Sequence, residues 1–263
     1  MATLRTLKCI ATGSALAMTL QAVSFLAVEP RVNLEPLGTL ELVAPAAAQS
    51  KGITYRPPNR LTRAIRTGGT GARGCTNLPG ITLMPLVPSN HIGQTLAQRP
   101  TFLAYAAGVT AVEFTLVEPN VQKPLWVQTV KPDAQGMVRV ELPTTAPELD
   151  AGKMYRWSVA VICNPNRRSQ DVFAQSWIQR VEPSSELNQR LKAAGSAQEK
   201  ARIYAETGFW YDAIALLAKE NQTNPANSAV RADLSALLEQ VNLANLVIRS
   251  PQTTQVVKSQ PAQ

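Results

Sequence analysis

Between Cys75 and Arg180 the apolar residues alternate with polar ones or gather in short runs, and after Pro183 they shift to a spacing of three and four. Alternation suits a half-buried strand, because successive side chains leave opposite faces of an extended backbone, whereas a three-four spacing puts apolar groups on one face of a helix. The first region predicts seven strands, at 81–86, 101–106, 111–117, 125–130, 137–142, 154–163 and 171–180. Turn residues punctuate them roughly every 8 to 12 positions, the pattern of an all-β sandwich. In the sixth strand Tyr155, Trp157, Val159, Val161 and Cys163 fall on one face, while Arg156 and Ser158 begin the other.

Leu149, Gly152 and Tyr155 resemble the corner that opens strand F in fibronectin type III and related sandwiches, where a Tyr hydroxyl satisfies nearby backbone. Beyond Pro183, Ser184 and Ser185 can cap a helix carrying Leu187 and Leu191. Gly195-Ser196 starts a second, with Ala197, Ala201, Tyr204 and Ala205 on one face, and Gly208 stops it. A third runs from Trp210 to about Asn221. Past Pro225-Ala226-Asn227, a fourth carries Val230, Leu234, Leu237, Leu238 and Val241.

Tyr204, Gly208, Ala213, Leu217 and Pro225 stand at tetratricopeptide spacing, where small residues let paired helices approach, so this region resembles that repeat. The early signature of the repeat is missing, since Ala197, Lys200 and Ala201 occupy its places. About one and a half repeats are fewer than such arrays need to stand alone. The helices are therefore expected to pack against the sandwich. The fold class expected is α+β: an antiparallel immunoglobulin- or fibronectin-like sandwich followed by a short tetratricopeptide-like region.

Ahead of these elements, Arg5 and Lys8 precede 20 uncharged residues, 9–28, and Ala46-Ala47-Ala48 offers a small-residue cleavage site. Residues 1–48 read as a signal peptide, with an uncleaved membrane anchor as the rival. Cys9 precedes the apolar stretch and cannot serve as a lipoprotein cysteine. Residues 49–74 read as a flexible basic arm, 75–182 as the sandwich, 183–249 as the helical region and 250–263 as a disordered tail.

The net charge of +8 survives loss of the leader, which holds three bases and three acids. From Lys51 to Val112 there is no Asp or Glu, while Arg56, Arg60, Arg63, Arg66 and Arg73 crowd the arm. In an exported protein such charge suggests an anionic envelope polymer, or a membrane surface met through the arm or an uncleaved leader, and nucleic acid is not expected. Arg167 and Arg168, in the loop between the last two predicted strands, are further candidates for anion contact.

Gly74-Cys75, the stretch LVPSNHIGQTLAQRPTFLAY at 86–105, YRWSVAVICNPNRRSQDVFAQSWIQRVEP at 155–183 and GFWYDAIALLA at 208–218 resemble a cyanobacterial family of unknown function, number 928. The likeness spans roughly 70–248. It implies no catalytic residues and no cofactor.

Little in the sequence points to a reaction. His91 is the single histidine, in a Pro- and Gly-rich loop, which rules out a multi-histidine zinc site. The sandwich acids Glu113, Glu118, Asp133, Glu141, Glu148, Asp150 and Asp171 show no spacing that pairs two of them as a glycosidase requires. No catalytic, metal or cofactor residues are therefore assigned. Phe209-Trp210-Tyr211 are consecutive and cannot all point into one helix-helix seam, so they are read as packing against the sandwich, with an outward-facing partner contact as the alternative. Cys75 and Cys163 are the two cysteines left once the leader is removed and are expected to form a disulfide in an oxidising compartment. The expectation is a non-catalytic binding or scaffold protein of the periplasm or envelope, with a protein or an anionic polymer as partner. The alternative is an enzyme acting on envelope polysaccharide.

Overall fold

The structure, a computed structural model, describes residues 52–58, 67–69, 75 and 80–243. The expected leader and tail lie outside them. Among the described residues the strands are β1 (Thr67–Gly69), β2 (Thr82–Pro85), β3 (Gly93–Thr95), β4 (Thr101–Ala107), β5 (Val112–Val117), β6 (Trp126–Val130), β7 (Met137–Glu141), β8 (Met154–Val161) and β9 (Val172–Arg180). The helices α1 (Ser185–Ala193), α2 (Ala197–Glu206), α3 (Trp210–Thr223) and α4 (Ser228–Glu239) follow.

The strands form two mostly antiparallel sheets. In the larger, β9, β8, β5 and β6 are successive neighbours, and β1 and β3 share the other edge of β9, β1 antiparallel to it and β3 parallel. In the smaller, β4 lies between β2 and β7. Alternation fills the space between the sheets: Phe102 from β4, Val138 and Val140 from β7, Phe114 from β5 and Trp157 from β8 are all buried in one apolar core. Burying each such side chain contributes about 1.5–3 kcal/mol.

The Tyr155 hydroxyl accepts from the Asp150 N–H at 2.8 Å, and Gly152 takes the positive φ (+79°) that the intervening turn needs. The seven expected strands appear within about two residues at their ends. The structure adds β1 and β3, three residues each, which hold their places through pairing with β9 rather than through an apolar pattern.

Local chemistry sets the helix boundaries. Ser184 and Ser196 accept from the N–H groups of Leu187 and Glu199, and the Asn227 side chain accepts from those of Ala229 and Val230. At the end of α2, Gly208 adopts φ +91°, so its N–H reaches Ala205 O and the N–H of Phe209 reaches Tyr204 O. That is a Schellman ending, completed by an edge-on contact of the Tyr204 and Phe209 rings at 6.5 Å. Ala201, Ala205 and Ala213 are buried, which lets neighbouring helices approach closely.

Sandwich and helices, expected as successive domains, share one continuous core within the compact unit Gln49–Gln263. Leu217, Leu234 and Leu237 belong to the same cluster as Phe114 and Trp157. A satellite cluster of Leu187, Ile203 and Phe209, with Leu96 and Val181 against it, seats α1.

One expectation needs correcting. The start of the arm that the sequence suggested is flexible, residues 52–58, is a strap fixed across the helices. Ile53 and Tyr55 are buried while Gly52, Thr54 and Arg56 are exposed, so even this short segment alternates. Its backbone is held by the side chains of Asp233 and Gln240 and by the carbonyl of Ala205.

Candidate functional site

The strongest concentration of specific contacts lies where α3 meets the sandwich. β3 passes so close to the start of α3 that a Cβ on Gly93 would come within 2.8 Å of the Tyr211 ring. Tyr211 reaches into the core, where Trp157 Nε1 donates to its hydroxyl at 2.7 Å and the hydroxyl donates to Trp177 O at 2.9 Å. Burial pushes this phenol above the usual tyrosine range, although the hydrogen bonds from Trp157 and Ser176 pull the other way. Trp210 Nε1 donates to Leu86 O at 2.8 Å, so each buried polar tip in the seam has a partner.

Asp212, in the first turn of α3, accepts from the Leu96 N–H at 3.0 Å and from the Thr95 hydroxyl at 3.2 Å. Burial pushes its carboxyl up to about 6, against the opposing pull of those donors.

Above this seam the strap meets His91. The Tyr55 hydroxyl lies 2.6 Å from His91 Nε2, the rings stack with centroids 5.5 Å apart, and Trp210 meets Tyr55 edge-on at 5.0 Å. His91 Nδ1 lies 2.7 Å from the side-chain amide oxygen Oδ1 of Asn90, an arrangement that suits the tautomer with Nδ1 protonated and Nε2 accepting from the Tyr55 hydroxyl. Burial holds the imidazole below its usual range and pushes the Tyr55 phenol above its own, with Tyr211 adding to the second effect. His91 thus joins strap and sandwich as a neutral hydrogen-bonding bridge.

A second feature is a cleft of about 510 Å3 at the end of the sandwich, walled by Val109, Val161 and Ile162 and edged by Thr110, Glu113 and Thr129. Its size suits a small molecule. Its one carboxylate is already engaged, since Arg168 bridges Glu113 at 2.6 Å and Asp171 on its other side.

The same holds for the other sandwich acids. Glu118 and Asp150 share Lys153, Glu141 pairs with Arg139 and Glu148 with Arg99. Asp133 accepts from the N–H groups of Gln135 and Met137, and Asp171 also accepts from the Cys163 N–H at 3.2 Å. Among the described residues no group of three or more His, Cys, Asp or Glu side chains is placed to hold a metal ion.

The disulfide is formed between Cys75 and Cys163, with Cα atoms 5.1 Å apart. Phe209, Trp210 and Tyr211 do not provide an outward contact: all three are buried. The third helix starts at Trp210 as expected, and Phe209, its N-cap with φ −87° and ψ 78°, turns into the satellite cluster. Trp210 and Tyr211 are then free to enter the main core. Of the arginines proposed for anion contact, Arg168 is committed to two carboxylates, Arg167 is exposed, and Arg56 is exposed at the end of the strap. Arg60, Arg63, Arg66 and Arg73 lie outside the described residues.

Sequence reasoning missed the strap and its anchors Asp233 and Gln240. The available signal was the pair Ile53 and Tyr55, two positions apart.

Two sheets with helices packed into a common core give the described residues an α+β architecture. The model of the family described as Domain of Unknown Function (DUF928) matches residues 68–250, and the chain belongs to that family. No curated protein sequence matches it.

Proposed function

We propose that the chain is a non-catalytic binding or scaffold protein exported to the periplasm or cell envelope. One observation carries the non-catalytic part: each of the seven sandwich carboxylates already has a basic side chain or backbone N–H as partner, and His91 is locked between Tyr55 and Asn90. A general acid or base must be free to exchange a proton with a substrate. Export is supported by the disulfide, a bond that persists in oxidising compartments. Among the described residues no helix is long and apolar enough to cross a membrane.

The same reading takes the two sheets as an immunoglobulin- or fibronectin-like sandwich. In this reading β2, β4 and β7 take the places of strands A, B and E and β9, β8, β5 and β6 those of G, F, C and C′, which the Tyr155 contact near the start of β8 supports. It takes α2 and α3 as a tetratricopeptide-like pair, on the strength of the buried alanines and the Gly208 turn, and it takes the source as cyanobacterial.

Fractionation with sequencing of the mature N-terminus tests export, and full-length protein in the cytosol would refute it. Crosslinking in native envelopes, followed by purification of the tagged chain, should return one recurring partner. Release of soluble sugar from isolated envelope polysaccharide by the purified protein would instead establish the enzyme reading.

A further inference from the structure

We propose that the groove between α2, α4 and the β2–β3 loop (residues 86–92) reads an extended Ile-Thr-Tyr segment, and that the occupant it takes in trans is residues 52–58 of a second copy of this chain. The inference stands on the groove's geometry and does not depend on where the protein resides.

The groove reads backbone first. Gln240 presents both ends of its side-chain amide to one edge of the strap: Oε1 accepts from the Tyr55 N–H at 2.8 Å and Nε2 donates to Ile53 O at 3.1 Å. Bonding residues i and i+2 on one edge is how a strand reads another extended segment. Asp233 Oδ1 accepts from the Ile53 N–H at 3.4 Å, and the Ala205 carbonyl, near the end of α2, accepts from the Arg56 N–H at 3.0 Å. Asp233 is itself held in place by Arg202 Nε at 2.9 Å and Gln198 Nε2 at 2.7 Å, both on α2.

Side chains are read next. Ile53 (4 % exposed) and Tyr55 (8 % exposed) point the same way because they are two apart, and Thr54 between them points to solvent. Tyr55 is selected by a ring slot between His91 and Trp210 and by the bond from its hydroxyl to His91 Nε2. Gly208 keeps the exit open, since a Cβ there would lie 3.1 Å from Arg56 O and 3.3 Å from Pro58 Cδ.

Gln240 and Asp233 come from 180 or more positions away in the chain, and the strap belongs to neither sheet. It precedes every other described element and pairs with no strand, so withdrawing it exposes part of the core but breaks no sheet ladder. Seating is therefore an association within one chain, and its competition with another chain is governed by effective concentration. A second copy carries the same segment and satisfies every donor and pocket by identity, which is the basis of segment exchange between protomers. An empty groove would expose Trp210 and leave the Gln240 amide without its strap partners, so exchange is favoured over vacancy.

The test mixes two variants of the chain from residue 49 onward. The double variant Ile53→Ala, Tyr55→Ala keeps its groove but has a defective strap; Gln240→Ala keeps its strap but has a defective groove. Each alone should be monomeric by light scattering, and the mixture should form a 1:1 dimer with the intact strap in the intact groove. A mixture that stays monomeric while both variants melt cooperatively overturns the proposal. Should either variant fail to fold, a fluorescent peptide of residues 50–59 is titrated into the wild-type chain and into Tyr55→Ala, whose groove is intact and whose resident strap is weakened. Saturable binding, tightened at least tenfold where the resident strap is loosened by Tyr55→Ala alone, supports it. No binding to any folded form up to millimolar peptide overturns it.

Discussion

Trp157 in β8 donates its indole N–H to the Tyr211 hydroxyl of α3 at 2.7 Å, a bond that spans 54 positions and lies wholly inside the core. The hydroxyl donates in turn to the carbonyl of Trp177 in β9, so one phenol joins a helix to two neighbouring strands. Around it Phe102 lies 5.9 Å and Trp157 6.5 Å from the Tyr211 ring, both edge-on, which favours the aromatic quadrupoles. The helix start is thereby part of the sandwich's interior.

Tyr211→Phe tests that arrangement with little change in volume. It removes the acceptor of a buried indole N–H and the donor to a backbone carbonyl, and leaving such groups unsatisfied costs about 1–3 kcal/mol. For a domain of this size each kcal/mol lowers the melting temperature by about 2–4 °C. Urea unfolding should show a lower midpoint with an unchanged slope. An unchanged midpoint would mean the hydroxyl contributes nothing net.

The shared core also predicts that residues 184–249 will not fold alone. Trp210 and Tyr211 spend their apolar surface on Leu86, Phe102 and Trp157, none of which the fragment contains. Circular dichroism of the fragment should show weak helicity and a broad, non-cooperative melt. A monomeric fragment with a sharp transition would separate the helices from the sandwich energetically.

Two buried groups give opposite pH dependences. His91 is held below the usual imidazole range, so the native state takes up its proton later than the unfolded chain; its contribution is full above about 6.5 and is lost as pH falls through that value toward the lower native one. Asp212 is pushed up to about 6, so its contribution is full below the ordinary carboxyl value and is lost as pH rises through 6. Relative to wild type, His91→Gln should improve as pH falls below about 6.5, and Asp212→Asn should improve as pH rises from about 4 to 7. Denaturant midpoints over that range measure both, and parallel curves for wild type and variant would exclude the linkage in question.

What the sequence made legible follows from how strongly each element depends on its own residues. β5, β7, β8 and β9 bury alternate positions, and the apolar alternation recorded that. β3 and β1 depend on backbone pairing with β9, and their Gly-containing triplets carry no apolar signature. In the helices, Gly208 announced the turn and Trp210 the next start, but helical spacing does not tell that Phe209 enters the satellite cluster while Trp210 and Tyr211 enter the main core. The anchors of the strap are an Asp on α4 and the Gln that caps its end, residue types common on any helix surface. Only the folded chain brings them opposite Ile53 and Tyr55.

The basic residues of the arm give a salt-dependent prediction. Replacing Arg56, Arg60, Arg63 and Arg66 with Gln should reduce retention on isolated envelopes at low ionic strength, because exposed charges act over only about 8 Å at physiological salt. The melting temperature should change little, since Arg56 enters the strap's anchoring through its backbone N–H. Equal retention of variant and wild type across a salt series would reduce the arm to a tether.

The disulfide offers the most direct link between fold and compartment. Cys75 precedes β2 and Cys163 follows β8, so their bond ties two chain segments 88 positions apart at one end of the sandwich, beside the Asp171 carboxylate that accepts from the Cys163 N–H. Closing a loop of that length in the unfolded chain removes entropy equivalent to about 4–5 kcal/mol in the chain-entropy model, and removal of native disulfides typically costs about 2–5 kcal/mol. The double variant Cys75→Ser, Cys163→Ser should therefore unfold at clearly lower denaturant while keeping its far-ultraviolet spectrum, since the β8–β9 and β5–β8 ladders do not depend on the bond. Dithiothreitol should destabilise the wild type by a similar amount and leave the double variant unaffected. Protein isolated from cells under alkylating, non-reducing conditions should carry no alkyl group on Cys75 or Cys163 by mass spectrometry. Full alkylation of both would show that the chain resides in a reducing compartment and would remove the main structural support for export.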